Sequence, residues 1–376
     1  MSNQSATFVP KLSIEAIQTV TPMRMTEPRQ TRQVLAGDLV GPGILQRCLN
    51  MVQYYRKERE GDSGWLLAGW IKETLGIALM EQPMISGRLR KSEKNDGQLE
   101  IVSNDSGIRL IEASIQMNLS EFLESKQRED VEAQLVFWID IDEQNPQFSP
   151  LFYVQVTNFE CGGYSIGISC SILLTDLLFK KEFLKVWADI HNKVVNKNNN
   201  NQKLPLFYLP GLKSTNGSSL DIITSSSSKN AGKTIIFKID AGTERPGSEW
   251  CRKMASSCLK EAENKLGSVV GGEFSLFVNE SFEAIKVESC SKQGVLERGM
   301  EINQAKWDEL GANGVSFRDG NKPALVSYWI RSVLGGFVIV MPWVEEDAST
   351  VNVIVTIPNQ KNEWVKMSFT SPFFLA

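Results

Sequence analysis

Two long apolar runs near the middle of the chain form its clearest pattern. Leu151–Thr157 and Tyr164–Ile172 are rich in β-branched and aromatic residues and have the length of β-strands. Cys161-Gly162-Gly163 lies between them and supplies glycines that can adopt the positive φ of a tight connection. After Asp176 the apolar positions recur every three or four residues, which predicts a helix with a buried aspartate just before it. The apolar positions of this helix are Leu177, Phe179, Phe183, Leu184, Val186 and Trp187.

The N-terminal part of the chain carries weaker patterns. Residues 9–24 predict a strand that Pro22 ends, because proline cannot donate to a sheet ladder. Residues 43–56 predict a helix, since four apolar side chains fall on one helical face. These are Leu45, Leu49, Val52 and Tyr55. Residues 63–80 predict a second helix with Ser63 as its N-cap.

A low-complexity segment divides the chain. Residues 192–232 are rich in asparagine and serine and cannot bury enough apolar surface to pack. We interpret them as a crossover between an N-terminal domain, 1–191, and a C-terminal domain, 233–376. In the second domain we predict strands at Thr234–Ile239, Gly272–Asn279, Phe282–Val287 and Thr350–Ile357, a helix at Glu249–Leu266 and a short helical turn at Gln304–Leu310.

Composition and charge narrow the classes of function. The 376 residues carry a net charge of −4 and contain no basic stripe, so we expect no nucleic-acid partner. The six cysteines lack a C-x-x-C spacing and the chain has one histidine, so we predict no metal site and reduced thiols. We expect no secretory signal at the N-terminus and no transmembrane segment, because no apolar run approaches about 20 residues.

Candidate nucleophiles and bases are few. The stretch Gly232-Lys233-Thr234 is not a phosphate-binding loop, because Ser227 stands where the first glycine must be. The histidine, His191, has polar neighbours and is predicted to lie at a solvated helix terminus. Cys170 shares a strand face with Ile172 and is an alternative nucleophile, although a cysteine in an apolar strand is more often a small buried hydrophobe.

The central pattern carries a resemblance to a known family. The run GGYSIGISCSILLTD followed by FLKVWA resembles the plant BAHD acyltransferases, in which a strand ends in His-x-x-x-Asp before a helix. Counting back from Asp176 places Ile172 at the position of the histidine. In the family this histidine is a general base that takes a proton from the attacking alcohol or amine. Isoleucine has no lone pair, so the resemblance implies a degenerate site.

Further motifs indicate a branch of the family. Gln82–Leu89 resembles the helix exit Y-P-x-A-G-R-L, and Asn104–Ile108 resembles the run N-D-x-G-I. With FSP at 148–150 and CGG at 161–163, the combination is most similar to the eceriferum/glossy2-like branch of cuticular wax synthesis. The family's second signature, Asp-Phe-Gly-Trp-Gly, aligns with a degenerate stretch. Its residues are Gly336, Phe337, Val338, Ile339 and Val340.

The resemblance implies a fold. A BAHD protein has a two-domain α/β architecture like chloramphenicol acetyltransferase, and each domain is a mixed β-sheet flanked by helices. The second domain here is shorter than the family leads us to expect. The resemblance also implies that Asp176 is structural and pairs with an arginine, for which Arg331 is our candidate.

The resemblance also implies two classes of function. The first is a non-catalytic accessory protein that alters very-long-chain fatty acid elongation through a 3-ketoacyl-CoA synthase, in the cytosol at the periphery of the endoplasmic reticulum. Its ligand would be a long acyl chain or acyl-CoA, with no resident cofactor. The second is an acyl-CoA-dependent acyltransferase or lyase whose chemistry does not need the histidine, because general-base assistance contributes only about 10²–10⁴-fold. A degenerate product of gene duplication is a third interpretation.

Overall fold

The strands and helices form two mixed β-sheets with helices packed on them, as predicted. A computed structural model describes residues 11–36, 43–58, 63–93, 98–179, 182–199, 203–206, 232–240, 247–279, 281, 283–292, 301–310, 315–318, 320–331, 335–342 and 350–358. Most of the predicted crossover lies outside these ranges. The helices are α1 (Gly64–Glu81), α2 (Leu119–Glu124), α3 (Arg128–Val131), α4 (Thr175–Phe179), α5 (Phe183–Asn199) and α6 (Ser248–Leu266). Of these helices, none combines the length and apolar character that crossing a bilayer requires.

The first sheet has six strands in the order β1-β6-β7-β8-β3-β13. Only its β6–β7 pair is parallel. Its strands are β1 (Leu12–Val20), β3 (Cys48–Tyr55), β6 (Ile108–Ile115), β7 (Phe152–Phe159), β8 (Tyr164–Ser171) and β13 (Leu325–Ile330). The predicted turn between β7 and β8 is confirmed, and Gly162 has a φ of +80° there. This hairpin lies in the middle of the first sheet.

The second sheet has nine strands in the order β12-β9-β15-β14-β10-β11-β2-β5-β4. Its β10–β14 and β11–β2 pairs are parallel and the other pairs are antiparallel. Its strands are β2 (Thr31–Ala36), β4 (Arg88–Lys91), β5 (Leu99–Val102), β9 (Lys233–Asp240), β10 (Glu273–Val278), β11 (Ala284–Ser291), β12 (Ile302–Ala305), β14 (Gly336–Pro342) and β15 (Thr350–Ile357). Helix α6 packs on this sheet and buries Met254, Cys258 and Leu259.

Each sheet contains strands from both sides of the predicted crossover. Strands β2, β4 and β5 come from the N-terminal half but complete the second sheet, whereas β13 comes from the C-terminal half and completes the first. In the first sheet, Leu325 of β13 is paired with Tyr54 of β3. In the second, Ala284 of β11 is paired with Gln33 of β2. The two halves are therefore interlocked.

The predicted helix over residues 43–56 is wrong. Most of that segment is the strand β3, and all eight of its residues are buried. A strand covered on both faces carries apolar residues at every spacing, so those at helical intervals imitate a helix. The helix predicted from residue 63 is confirmed: the Ser63 hydroxyl accepts a hydrogen bond from the Leu66 amide at 3.2 Å at the start of α1.

Candidate functional site

The candidate site is the corner where β8 leaves the first sheet. The Ser171 hydroxyl accepts from the Leu173 amide at 3.4 Å, and a single 3-10 turn, Ile172–Leu174, follows. The Thr175 hydroxyl then donates to the Ile172 carbonyl at 2.8 Å, and α4 begins. These local bonds fix the chain direction at the corner. Ile172, which sequence analysis aligned with the family's histidine, is 2% exposed and fills the interior at the corner.

Asp176 is held by Arg32. Both carboxylate oxygens accept from the guanidinium, Nη1 to Oδ1 at 2.9 Å and Nη2 to Oδ2 at 2.8 Å. Nη1 also donates to the Leu173 carbonyl at 3.3 Å, and both charged groups are buried. Our candidate Arg331 is wrong, because that side chain pairs with Asp140. The sequence does not indicate Arg32, which lies in β2 of the other sheet.

The side chain at position 172 is a hydrocarbon and cannot accept a proton. Cys170 lies two residues before Ile172, in β8, but it is fully buried, and burial raises the pKa of its thiol well above the usual value. The thiolate, the nucleophilic form, is therefore disfavoured. Within the described ranges, no three His, Cys, Asp or Glu side chains are grouped so that they could hold a metal ion.

The prediction that His191 lies at a solvated helix terminus is wrong. It is 1% exposed, in the body of α5, where its Nδ1 lies 3.0 Å from the Thr74 hydroxyl of α1. The ring of Phe317 meets the imidazole edge to face at 5.6 Å. Burial lowers the pKa of His191 to about 3, so the imidazole is neutral at physiological pH. It packs between helices and is not part of the corner.

Arg47 is a second functional candidate that sequence analysis missed. It directly precedes β3, and its carbonyl accepts a hydrogen bond from the Ile172 amide at 3.4 Å. Its guanidinium carbon lies 4.6 Å from the ring centre of Phe337 and 6.0 Å from that of Phe277. Burial lowers the pKa of Arg47 to about 10, which leaves the side chain charged at neutral pH. The Arg47 cation therefore lies beside the corner. The sequence does not indicate this, because Arg47 and Ile172 become neighbours only in the fold.

The stretch aligned with the second family signature is a core strand. Gly336 to Val340 lie in β14, between β10 and β15, and the side chains of residues 337–340 are fully buried. Phe337 faces the first sheet, where it meets Arg47, while Val338 and Val340 belong to the cluster packed under α6. Of the stretch, Phe337 therefore borders the candidate site.

A groove of about 650 Å³ lies between the two sheets, and none of the corner residues lines it. It is lined by β9, by β12 and by β13, the last two being edge strands of the second and first sheets. Trp307 and Tyr328 stack there at 5.0 Å, and Phe179 of α4 lies 6.1 Å from Trp307. An aromatic row thus runs from the helix after the corner to the groove, which Lys306 and Lys322 also line.

The corner and the ion pair of Arg32 with Asp176 lie in a segment that matches a known family. The model of the Transferase family, the family of the BAHD acyltransferases, matches residues 12–209, which is more than half of the chain. The chain therefore belongs to this family. The match begins at β1 and extends past α5, so it includes the corner.

Individual relatives match shorter segments. The chain is similar to Protein ECERIFERUM 26-like of Arabidopsis thaliana, 31% identical over 118 residues that make up 31% of this chain and 27% of the relative. Protein ECERIFERUM 2 of the same plant is 32% identical over 123 residues, 31% of this chain and 29% of the relative. Hydroxycinnamoyltransferase of Narcissus pseudonarcissus is 30% identical over 139 residues, 37% of this chain and 31% of the relative. The aligned segments span less than a third of these relatives' own lengths.

Solved structures match over most of the chain at low identity. Vinorine synthase is 13% identical with a TM-score of 0.47, and the match covers 94% of this chain and 96% of that one. The F. graminearum TRI101 complex with ethyl coenzyme A is 12% identical with a TM-score of 0.43, covering 90% and 97%.

Proposed function

We propose that this chain is a catalytically degenerate BAHD protein that modulates very-long-chain fatty acid elongation through a 3-ketoacyl-CoA synthase. The observation that carries the proposal is the buried isoleucine at position 172 in an otherwise intact corner. The ion pair of Asp176 with Arg32 preserves the architecture, while the group that would move a proton is absent from that position.

The resemblance to ECERIFERUM proteins supports the choice of process. Two of the similar Arabidopsis proteins carry that name, and the branch motifs of the sequence agree with it. An apolar side chain in place of an imidazole suits an alkyl chain, because burying apolar surface is favourable and burying an unpaired polar group is not. Acyl-CoA or a free acyl chain is therefore the ligand that we propose, together with a peripheral place at the endoplasmic reticulum beside the synthase.

Co-expression in yeast with a plant 3-ketoacyl-CoA synthase tests the proposal. We expect acyl products longer than those the synthase makes alone. Asp176→Ala is the loss-of-fold control, because it leaves Arg32 as an unpaired buried charge. Arg29→Met, which removes a charge at an exposed position, is expected to retain the effect. An unchanged product profile with stably expressed protein would refute the accessory role.

Purified protein separates this function from the enzymatic alternative. Incubation with a panel of acyl-CoA thioesters and alcohol or amine acceptors is expected to release no CoA thiol above the uncatalysed background. Release that Ile172→Ala or Phe337→Ala abolishes would instead establish an acyltransferase or lyase. The two experiments are independent, since the first reads chain length and the second reads turnover.

A further inference from the structure

Three arginines are buried in the described part of the chain, and they differ in how their charges are compensated. Arg32 has the carboxylate of Asp176. Arg88 donates to four backbone carbonyls, including those of Gly87 at 2.9 Å and Gly107 at 2.7 Å. Arg47 is 2% exposed, and the Nε of its guanidinium is buried without a hydrogen-bond partner. Arg47 therefore differs from Arg32 and Arg88, whose guanidinium groups are bound by protein oxygens.

Two aromatic rings lie beside the guanidinium of Arg47. Phe337 and Phe277 of the second sheet pack against each other at 6.1 Å and hold the guanidinium near their ring faces. The Arg47 carbonyl binds the Ile172 amide, so the side chain starts from the candidate corner. The aromatic rings offer no oxygen to the buried N–H of Nε, which therefore lacks a hydrogen-bond acceptor. A buried cation in this state is strongly disfavoured unless an anion accompanies it.

We propose that Arg47 binds the carboxylate of a long-chain fatty acid whose alkyl chain lies between the two sheets. The planar guanidinium matches a carboxylate with two parallel hydrogen bonds. The apolar residues around it suit an alkyl chain and leave the other polar groups of a nucleotide without partners. A thioester carries no negative charge at its acyl carbon, so acyl-CoA would leave Arg47 unmatched at this depth. The alkyl chain of the proposed ligand rests on the proposed function, whereas its negatively charged head group rests on the burial of Arg47.

Binding measurements with matched ligands test the head group. Isothermal titration compares a saturated C24 fatty acid, the C24 primary alcohol and the C24 acyl-CoA on the purified full chain. We expect the acid to bind at least about tenfold more tightly than the alcohol, which is the range that a charge-assisted pair contributes. Equal affinity for acid and alcohol would overturn the proposal. Tight binding of the CoA ester and of free CoA, with none of the acid, would also overturn it by assigning the cation to a phosphate.

Variants of Arg47 test the residue. Arg47→Met is expected to reduce the preference for acid over alcohol to about one, while Arg47→Lys retains part of it. Arg29→Met removes the same charge at an exposed position and is expected to leave the preference unchanged. If Arg47→Met does not fold, thermal unfolding of the wild type decides: the acid raises Tm and the alcohol at the same concentration does not. A persistent preference in folded Arg47→Met would refute the assignment.

This outcome is separate from the proposed function. A longer acyl profile in yeast together with no head-group preference would keep the accessory role and reject the fatty acid site. A clear preference with an unchanged profile would keep the site and reject the role in elongation.

Discussion

Arg32 and Asp176 join the two sheets of the molecule through a buried ion pair with two hydrogen bonds. Arg32 lies on β2 of the second sheet, and Asp176 lies in α4 directly after the corner of the first. The residues are 144 positions apart in the chain. The carboxylate of Asp176 thus connects one sheet to the other beside the candidate corner.

Removing one member of this pair is expected to destabilise the protein strongly. Asp176→Leu leaves the Arg32 guanidinium buried and uncompensated, which costs about 3–5 kcal/mol. The double variant Arg32→Met/Asp176→Leu removes both charges and is expected to be more stable than either single variant. Urea unfolding measures both. Arg252→Met, which breaks an ion pair with an exposed arginine, is the control and should change stability by about 1 kcal/mol or less. Additive effects of the two changes would contradict the coupling.

His191 is expected to make the free energy of unfolding depend on pH. Its pKa is about 3 in the folded protein, whereas the ordinary value is 6.5. Between these values the unfolded chain binds more protons, so the stabilisation is complete above pH 6.5 and is lost as the pH falls toward 3. We expect the wild type to lose about 1.4 kcal/mol for each pH unit below about 6. His191→Gln removes this titration, and an unchanged slope in that variant would disprove the assignment.

The hydroxyl of Thr74 contacts two ring nitrogens, one of His191 and one of Trp187. Its Oγ1 lies 3.0 Å from Nδ1 of His191 and accepts from the indole N–H of Trp187 at 3.3 Å. Thr74→Val keeps the shape but leaves both groups without this partner, so we expect a loss of about 2 kcal/mol or more. Thr74→Ser keeps the hydroxyl and is the matched control, with a loss of about 1 kcal/mol from the missing methyl group. Equal losses in the two variants would show that the hydroxyl contributes nothing.

Gly167 in the middle of β8 is expected to tolerate no side chain. A Cβ at this position would lie 1.9 Å from the Leu135 carbonyl oxygen, which is backbone and cannot move aside alone. Gly167→Ala should therefore cost about 3 kcal/mol or more. Gly271→Ala is the control, because nothing lies within 4 Å of a Cβ there, and its effect should stay below about 1 kcal/mol. A thermal melt distinguishes the two, and a stable Gly167→Ala would contradict the packing of the strand.

The elements that were predicted correctly each have a local sequence pattern that indicates them. The β7–β8 hairpin has two apolar runs and a glycine turn, α1 has the Ser63 cap, and α6 has a clear apolar face. The strand β3 was missed because both of its faces are buried. His191 was missed although the signal was present: Phe183, Trp187, His191 and Val195 recur every four residues, and all four are buried.

Pairings between distant residues could not be predicted. Asp176 needs a cation, but nothing in the sequence distinguishes Arg32 from Arg331, because the choice depends on which strands become neighbours across the sheets. The same holds for Arg47, whose position beside Ile172 follows from the pairing of β3 with β8. The type of residue at the candidate site was therefore readable from the sequence, while its charged surroundings needed the fold.

The exchange of strands between the two halves has a consequence for how the chain matures during synthesis. Strand β3 cannot gain its edge partner β13 until residue Ile330 has left the ribosome, and β2 has no neighbour in β11 until Ser291 has emerged. Until then these strands present unpaired backbone groups, which are sites of aggregation. Production of either half alone should yield insoluble material, and chaperones should hold the nascent chain until β13 has emerged.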